Sequence, residues 1–264
     1  MISFNKAEAA CTVTDGVVTV IDNGCDSEPD LYEAVIYKLY LCTSAPTVPT
    51  TSSTVVLTSC SQFFNSASGA TVSVVSGEVI DLDGTYTRPS NGTYTHGYAY
   101  MENYFGVTWS SQIASSMTGS TGGTGVYCAS VAGAGTHQQG STHSNSSVCS
   151  STDNLTAGKF VETMEHFGPI NRAFTSEHTV TTINGTTAGI IGLLVDTNGH
   201  KAQDKDEVDK LEGLVTFANP VVITTETTSL SMRFNVGEGM HLNDRGSDVL
   251  QVGSGPFQAI MSAN

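Results

Sequence analysis

The chain has 264 residues and a net charge of −15, set by 10 Lys and Arg against 25 Asp and Glu. So few cations exclude the phosphate backbone of nucleic acid as a partner, because that contact needs clustered Lys and Arg. Hydrophobic residues at 39% supply a globular core, and no stretch approaches the roughly 18 to 20 apolar residues of a membrane span.

The first ten residues, Met-Ile-Ser-Phe-Asn-Lys-Ala-Glu-Ala-Ala, have neither a basic start nor an apolar run of the kind an export signal needs. The rest reads as a protein made for the outside of a cell: six cysteines, hydroxyl-rich strands and a charged fraction of only 13%. Two expectations reconcile these facts. Either a leader was removed before numbering, or the protein reaches the outside in a particle released by lysis.

Asp15-Gly16, between Thr-Val-Thr and Val-Val-Thr-Val-Ile, is a hairpin signal because Asp-Gly supplies the positive φ angles of a type I′ turn. Residues 32–42, dense in β-branched and aromatic side chains, predict a central strand. Pro46 and Pro49 then enforce an extended connection. Short runs at 55–58, 62–64, 70–75 and 78–82, separated by Ser, Gly and Asn, follow the pattern of a sandwich or barrel. Within residues 86–109 an Asn91-Gly92 turn is expected to join two aromatic strands.

Residues 110–151 are dominated by Ser, Thr and Gly, and read as a long loop or arm, with 126–131 as a strand candidate. Ser110, Gly122, Gly133 and Ser151 mark this assembly arm. Residues 159–167 read either as one or two helical turns or as a strand ending at Gly168-Pro169. Beyond them β pattern returns, with an Asn184-Gly185 turn and a clean alternation of Leu230, Met232, Phe234 and Val236.

The expected fold class is therefore all-β: an antiparallel sandwich of jelly-roll or immunoglobulin-like type. Its expected divisions are 1–109 as an N-terminal sandwich, 110–151 as the Ser/Gly-rich arm, and 152–264 as a second β domain or the second half of the same sandwich.

Six cysteines allow fifteen pairings. Spacing favours neighbours: Cys11 with Cys25 around the hairpin, Cys42 with Cys60 around a Pro/Thr/Ser loop, and Cys128 with Cys149 around a Gly/Ser/His loop. Whether they are three disulfides or six reduced thiols depends on the compartment, and both states stay open.

The most site-like stretch is 196–209. Asp196, Asn198, Asp204 and Asp206 form a calcium candidate, since carboxylate and amide oxygens after a strand suit a hard cation. They depart from an EF-hand loop, and a solvated acidic turn is the favoured alternative. His137 and His143 fit no zinc spacing and read as polar loop residues. No nucleophile elbow, P-loop or His-Glu-x-x-His is present, so no catalytic residue is assigned and no enzyme is expected. The aromatic set Tyr86, Tyr94, Tyr98, Tyr100, Tyr104, Phe105 and Trp109 reads as core and cross-strand packing before a sugar platform.

Three runs, Tyr37-Lys-Leu-Tyr-Leu-Cys-Thr-Ser-Ala-Pro46, Arg88-Pro-Ser-Asn-Gly-Thr-Tyr-Thr-His-Gly-Tyr98 and Thr227-Thr-Ser-Leu-Ser-Met-Arg-Phe-Asn-Val236, resemble stretches of structural proteins of marine tailed bacteriophages. The resemblance implies a virion component, assembled in the host cytoplasm, with other copies of itself and other particle proteins as partners. A host-surface glycan is a further candidate partner. Gly192-Leu-Leu-Val-Asp-Thr-Asn-Gly-His-Lys201 resembles instead a loop of type IV pilin-like proteins. That likeness implies a secreted filament subunit or adhesin, although the long apolar N-terminal helix of such subunits is not seen here.

Overall fold

A computed structural model describes residues 10–20, 24–75, 81–183, 185–244, 246 and 248–264. Among the described residues nearly all the regular secondary structure is strand. Strands β1 (Thr12–Thr14) and β2 (Val17–Thr19) form the opening hairpin. Its turn places Asp15 at φ 52° and Gly16 at φ 80°, the left-handed conformations that an Asp-Gly pair adopts at least cost. After β3 (Cys25–Ser27) comes β4 (Leu31–Cys42), the expected central strand.

Strand β5 (Cys60–Val74) fuses two of the short runs, and β6 (Thr85–Tyr86) and β7 (Gly92–Glu102) follow. Then come β8 (Tyr104–Thr108), β9 (Ser110–Gly119), β10 (Thr124–Ser130), β11 (Gly133–His137) and β12 (Ser147–Ser150). The last third holds β13 (Phe160–Met164), β14 (Glu177–Ile183), β15 (Thr186–Val195) and β16 (Lys210–Ile223). It ends with β17 (Leu230–Asn235), β18 (Met240–Asp244), β19 (Val249–Ser254) and β20 (Gln258–Ala263). Among the described residues the helical part is one 3-10 turn, Lys205–Glu207.

One sheet of ten strands runs β11-β13-β8-β4-β7-β16-β15-β14, with β5 attached to β4 and β6 to β5. A second, of eight strands, runs β1-β2-β9-β19-β18-β3 and carries β10 and β12. Strands β17 and β20 pair separately. The inward side chains of both large sheets meet in one core, where Tyr32, Ile36, Phe105 and Phe160 from the first join Ile113, Leu242, Leu250 and Val252 from the second. The fold is thus all-β and sandwich-like. It is not purely antiparallel, because β11–β13, β2–β9 and β9–β19 are parallel pairs. Strands of the first and last segments share a sheet: β16 lies between β7 and β15.

Several expectations are corrected. Residues 110–151 are not a loop or arm but hold β9 to β12, hydrogen-bonded into both sheets. Ser110 opens β9, Gly122 lies in the β9–β10 turn at φ 123°, Gly133 opens β11 and Ser151 follows β12. Small residues form strands here because the ladders approach closely: a side chain on Gly123 or Gly125 would collide with the backbone of Cys149 or Ser150. Residues 55–58 make only the bridge Thr47↔Val56. The Asn91-Gly92 turn does not join two aromatic strands, since β6 pairs with β5 while β7 pairs with β4 and β16. Pro89 withdraws an amide there, and the Arg88 guanidinium reaches the Thr224 carbonyl at 2.5 Å instead. Within 159–167 the strand alternative holds, but β13 ends at Met164 and not at Gly168-Pro169. Most of the 78–82 run lies outside the described residues, as does Asn184.

Candidate functional site

Titratable side chains gather in two places, one between the sheets and one on the outer face of the ten-stranded sheet. Between the sheets, the alternation of β13 puts Phe160 and Glu162 on the core side. Glu162 is 4% exposed. His143 Nε2 stands 2.6 Å from its Oε1, and the amide and hydroxyl of Ser254 on β19 donate to Oε2 at 2.5 and 2.7 Å. A Cβ at Gly253 would come within 2.9 Å of both carboxylate oxygens, so glycine is required beside this contact.

Burial pushes the Glu162 carboxyl up, but hydrogen bonds from His143 and Ser254 and the charges of His143 and His137 outweigh it and hold the group below its ordinary value. The His143 ring lies on Phe160, centroids 4.6 Å apart, and its carbonyl accepts from the Gln251 amide. Its Nδ1 is buried with no protein partner.

His137 and His166 stack in parallel at 5.9 Å. The Thr175 amide donates to His166 Nδ1 at 3.0 Å, so Nε2 is the protonated nitrogen and donates to the Pro169 carbonyl at 3.2 Å. Burial pushes His166 below its usual value, which keeps the ring neutral. The set resembles a Ser, His and carboxylate constellation in composition only. Both Ser254 and His143 bond to the carboxylate, whereas nucleophile activation needs the serine hydroxyl on the histidine. The geometry makes Glu162 a clasp between sheets. His143, expected as a polar loop residue, is therefore part of a buried network. The signal for it was Glu162, which shares the core face of its strand with Phe160.

On the outer face, Glu212 of β16 is 2% exposed. Its register partners are Leu193 on β15 and Tyr100 on β7. Burial pushes its carboxyl up to about 7, while a hydrogen bond from Tyr98 acts the other way. Oε2 has no protein partner. Beside it the Tyr37 hydroxyl donates to Glu102, Lys210 lies 3.4 Å from Glu102, and Lys38 and Lys210 stand 5.8 Å from the Tyr100 and Tyr37 ring centroids. These cation–π contacts occupy ring faces that a sugar would need. Of the aromatic set, Tyr94, Tyr98, Phe105 and Trp109 are buried core, Tyr100 is half-buried, and Tyr86 and Tyr104 are exposed.

The calcium candidates are not brought together. Asp196 Oδ1 accepts the amides of Asn198 and His200, both at 2.8 Å. Asp204 caps the 3-10 turn by accepting from Asp206 and Glu207, and Asp206 pairs with Lys205. These are the local bonds of Asx turns. Among the described residues no group of three or more His, Cys, Asp and Glu side chains is placed to hold a metal ion.

All six cysteines are paired, Cys11 with Cys25, Cys42 with Cys60 and Cys128 with Cys149, as the spacing favoured. Among the described residues no helix is long and apolar enough to cross a membrane. Comparison with protein-family models, curated proteins and solved structures finds no match.

Proposed function

We propose that the chain is a structural subunit of a bacteriophage particle, a head, tail or fibre component that works by self-assembly and not by catalysis. The observation that carries this reading is the outer edge of β14. It ends the ten-stranded sheet, and among the described residues no strand pairs with its far side. Residues 178–183 contain no Asp, Glu, Lys, Arg or Pro, and Glu177 is neutralised by Lys201 at 2.6 Å. A free edge without charged or proline guards is a template for another strand. In a chain of net charge −15 it is also a place where two copies meet without direct repulsion. A bulge between Val180 and Thr182 bends the edge, so the partner must match that bend.

The partners in this reading are further copies of the chain and other particle proteins, and the location is the virion. Attachment to a host-surface glycan would use the cleft of about 290 Å³ beside exposed Tyr86, floored by Phe63, Leu82, Ile223 and Met232. Mass spectrometry of purified particles tests the proposal: peptides of this chain in stoichiometric amount support it. Their absence, with a protein that sediments as a monomer at high concentration, overturns it.

The three disulfides favour a second reading, a secreted extracellular filament subunit or adhesin, because such bonds persist in oxidising surroundings. Thiol titration of protein taken directly from producing cells separates the two. Reduced cysteines that oxidise only after release fit the particle, and bonds already closed at export fit secretion.

A further inference from the structure

Residues 43–59, the loop between Cys42 and Cys60, consist of Thr, Ser, Ala, Pro, Val and Leu. Not one of these side chains carries a charge. The loop is closed at its root by the disulfide and by the Thr43 amide donating to the Ser59 carbonyl at 2.9 Å. Its Val48, Val55 and Leu57 pack on Cys42, Tyr98, Leu193 and Leu214, the outer face of the ten-stranded sheet. At its tip the Lys201 amide donates to the Thr50 carbonyl at 2.9 Å.

Glu212 lies among the residues that this loop covers, between Leu193 and Tyr100 on neighbouring strands and two positions from Leu214, whose own partner on β7 is Tyr98. The charged and titratable groups around it come from the sheet and from Lys201 at the tip of the loop, whose ammonium is taken by Glu177 of β14 at 2.6 Å. Strand β4 offers Lys38 and Tyr40, β7 offers His96, Tyr98, Tyr100 and Glu102, and β16 offers Lys210 beside Asp209. Neither strand lysine serves it: Lys210 lies 3.4 Å from both Glu102 and Asp209, and exposed Lys38 stands over Tyr100. From β15 and the loop come only apolar and hydroxyl side chains.

We propose that residues 43–59 form a lid that stays shut while Glu212 is neutral and lifts when Glu212 ionises. A carboxylate in this place has an oxygen without a donor, no cation to pair with and an uncharged cover. Admitting water relieves all three conditions. Opening the lid breaks few backbone bonds: the bridges Thr47↔Val56 and Thr50↔Ser53 lie within the loop and can move with it, the Lys201 amide to Thr50 carbonyl bond is the tie at its tip, and the disulfide keeps its two ends together. The face uncovered is Tyr98, Leu193 and Leu214.

Hydrogen exchange of the intact, oxidised chain, read by mass spectrometry and corrected for the intrinsic pH dependence of exchange, tests the lid. Protection of peptides within 46–57 is expected to fall about tenfold for each pH unit above the carboxyl's titration near 7, while β9 holds its protection. In Glu212→Gln the loop should stay protected throughout. If that variant does not fold, the wild-type protein carries the test through the rate at which a phosphine reduces Cys42–Cys60, taken relative to Cys128–Cys149. The ratio is expected to rise above the same pH. Flat protection in the wild type, an equal loss in Glu212→Gln, or a ratio independent of pH overturns the lid.

Discussion

Glu162 on β13 accepts both the backbone amide and the hydroxyl of Ser254 on β19, at 2.5 and 2.7 Å. One carboxylate of the ten-stranded sheet thereby closes two hydrogen bonds to the eight-stranded sheet, with His143 holding its other oxygen. Breaking a buried pair strands the partners left behind, at about 3 to 5 kcal/mol. Glu162→Ala is expected to lose that much stability in urea denaturation, and Ser254→Ala only about 1 kcal/mol, because the amide contact survives.

The same carboxyl sets an acid limit. Its folded value lies below its ordinary 4.5, so the stabilisation is present above that pH and is lost as pH falls through the folded value. The midpoint temperature of the wild type should drop more steeply below about pH 4.5 than that of Glu162→Gln.

Glu212 acts with the opposite sign. Its value rises from 4.5 to about 7 on folding, so the folded state holds the proton more tightly. Stability is full below pH 4.5, declines between 4.5 and about 7, and loses about 3 kcal/mol in all. Denaturation at a series of pH values is expected to show this decline in the wild type and none in Glu212→Gln.

The close approach of β10 and β12 predicts an intolerance invisible to composition. In Gly125→Ala the new methyl would meet the Ser150 carbonyl, and the cost is expected to be about 1 to 3 kcal/mol or more, the range for overpacked sites. Gly140→Ala is the control, since a Cβ there meets nothing within 4 Å. Its positive φ of 89° limits the loss to strain of about 1 kcal/mol. Chemical denaturation of both variants checks the difference.

If β14 is the assembly edge, Thr179→Lys and Thr181→Lys should weaken self-association while leaving the midpoint temperature nearly unchanged. Exposed strand positions usually shift stability by less than about 0.5 kcal/mol. Sedimentation velocity over a concentration series reads the first quantity and thermal denaturation the second.

Much of the fold was legible because its signals are local. Asp15-Gly16 dictates a turn, the alternation from Leu230 to Val236 dictates a half-buried strand, and β4 follows from its β-branched and aromatic density. Neighbouring cysteines pair because hairpins bring their ends together. The segment 110–151 hid its strands because Ile113, Met117, Cys128 and Ala129 are nearly its whole buried apolar set, too sparse to mark a period among Ser, Thr and Gly. The Glu162 network was hidden for another reason. Its members lie at 143, 162 and 254, and only the packing of two sheets brings them together.

The three disulfides are distributed in a way that bears on how this protein would come apart. Cys11–Cys25 and Cys128–Cys149 each lie within the eight-stranded sheet, and Cys42–Cys60 joins β4 to β5 within the ten-stranded one. None of these three disulfides crosses from sheet to sheet. A reductant would slacken individual hairpins yet leave the two halves mated, whereas acid or mechanical pulling would part the halves with every disulfide intact. Toughness against chemistry and toughness against load therefore reside in different bonds of the same small body.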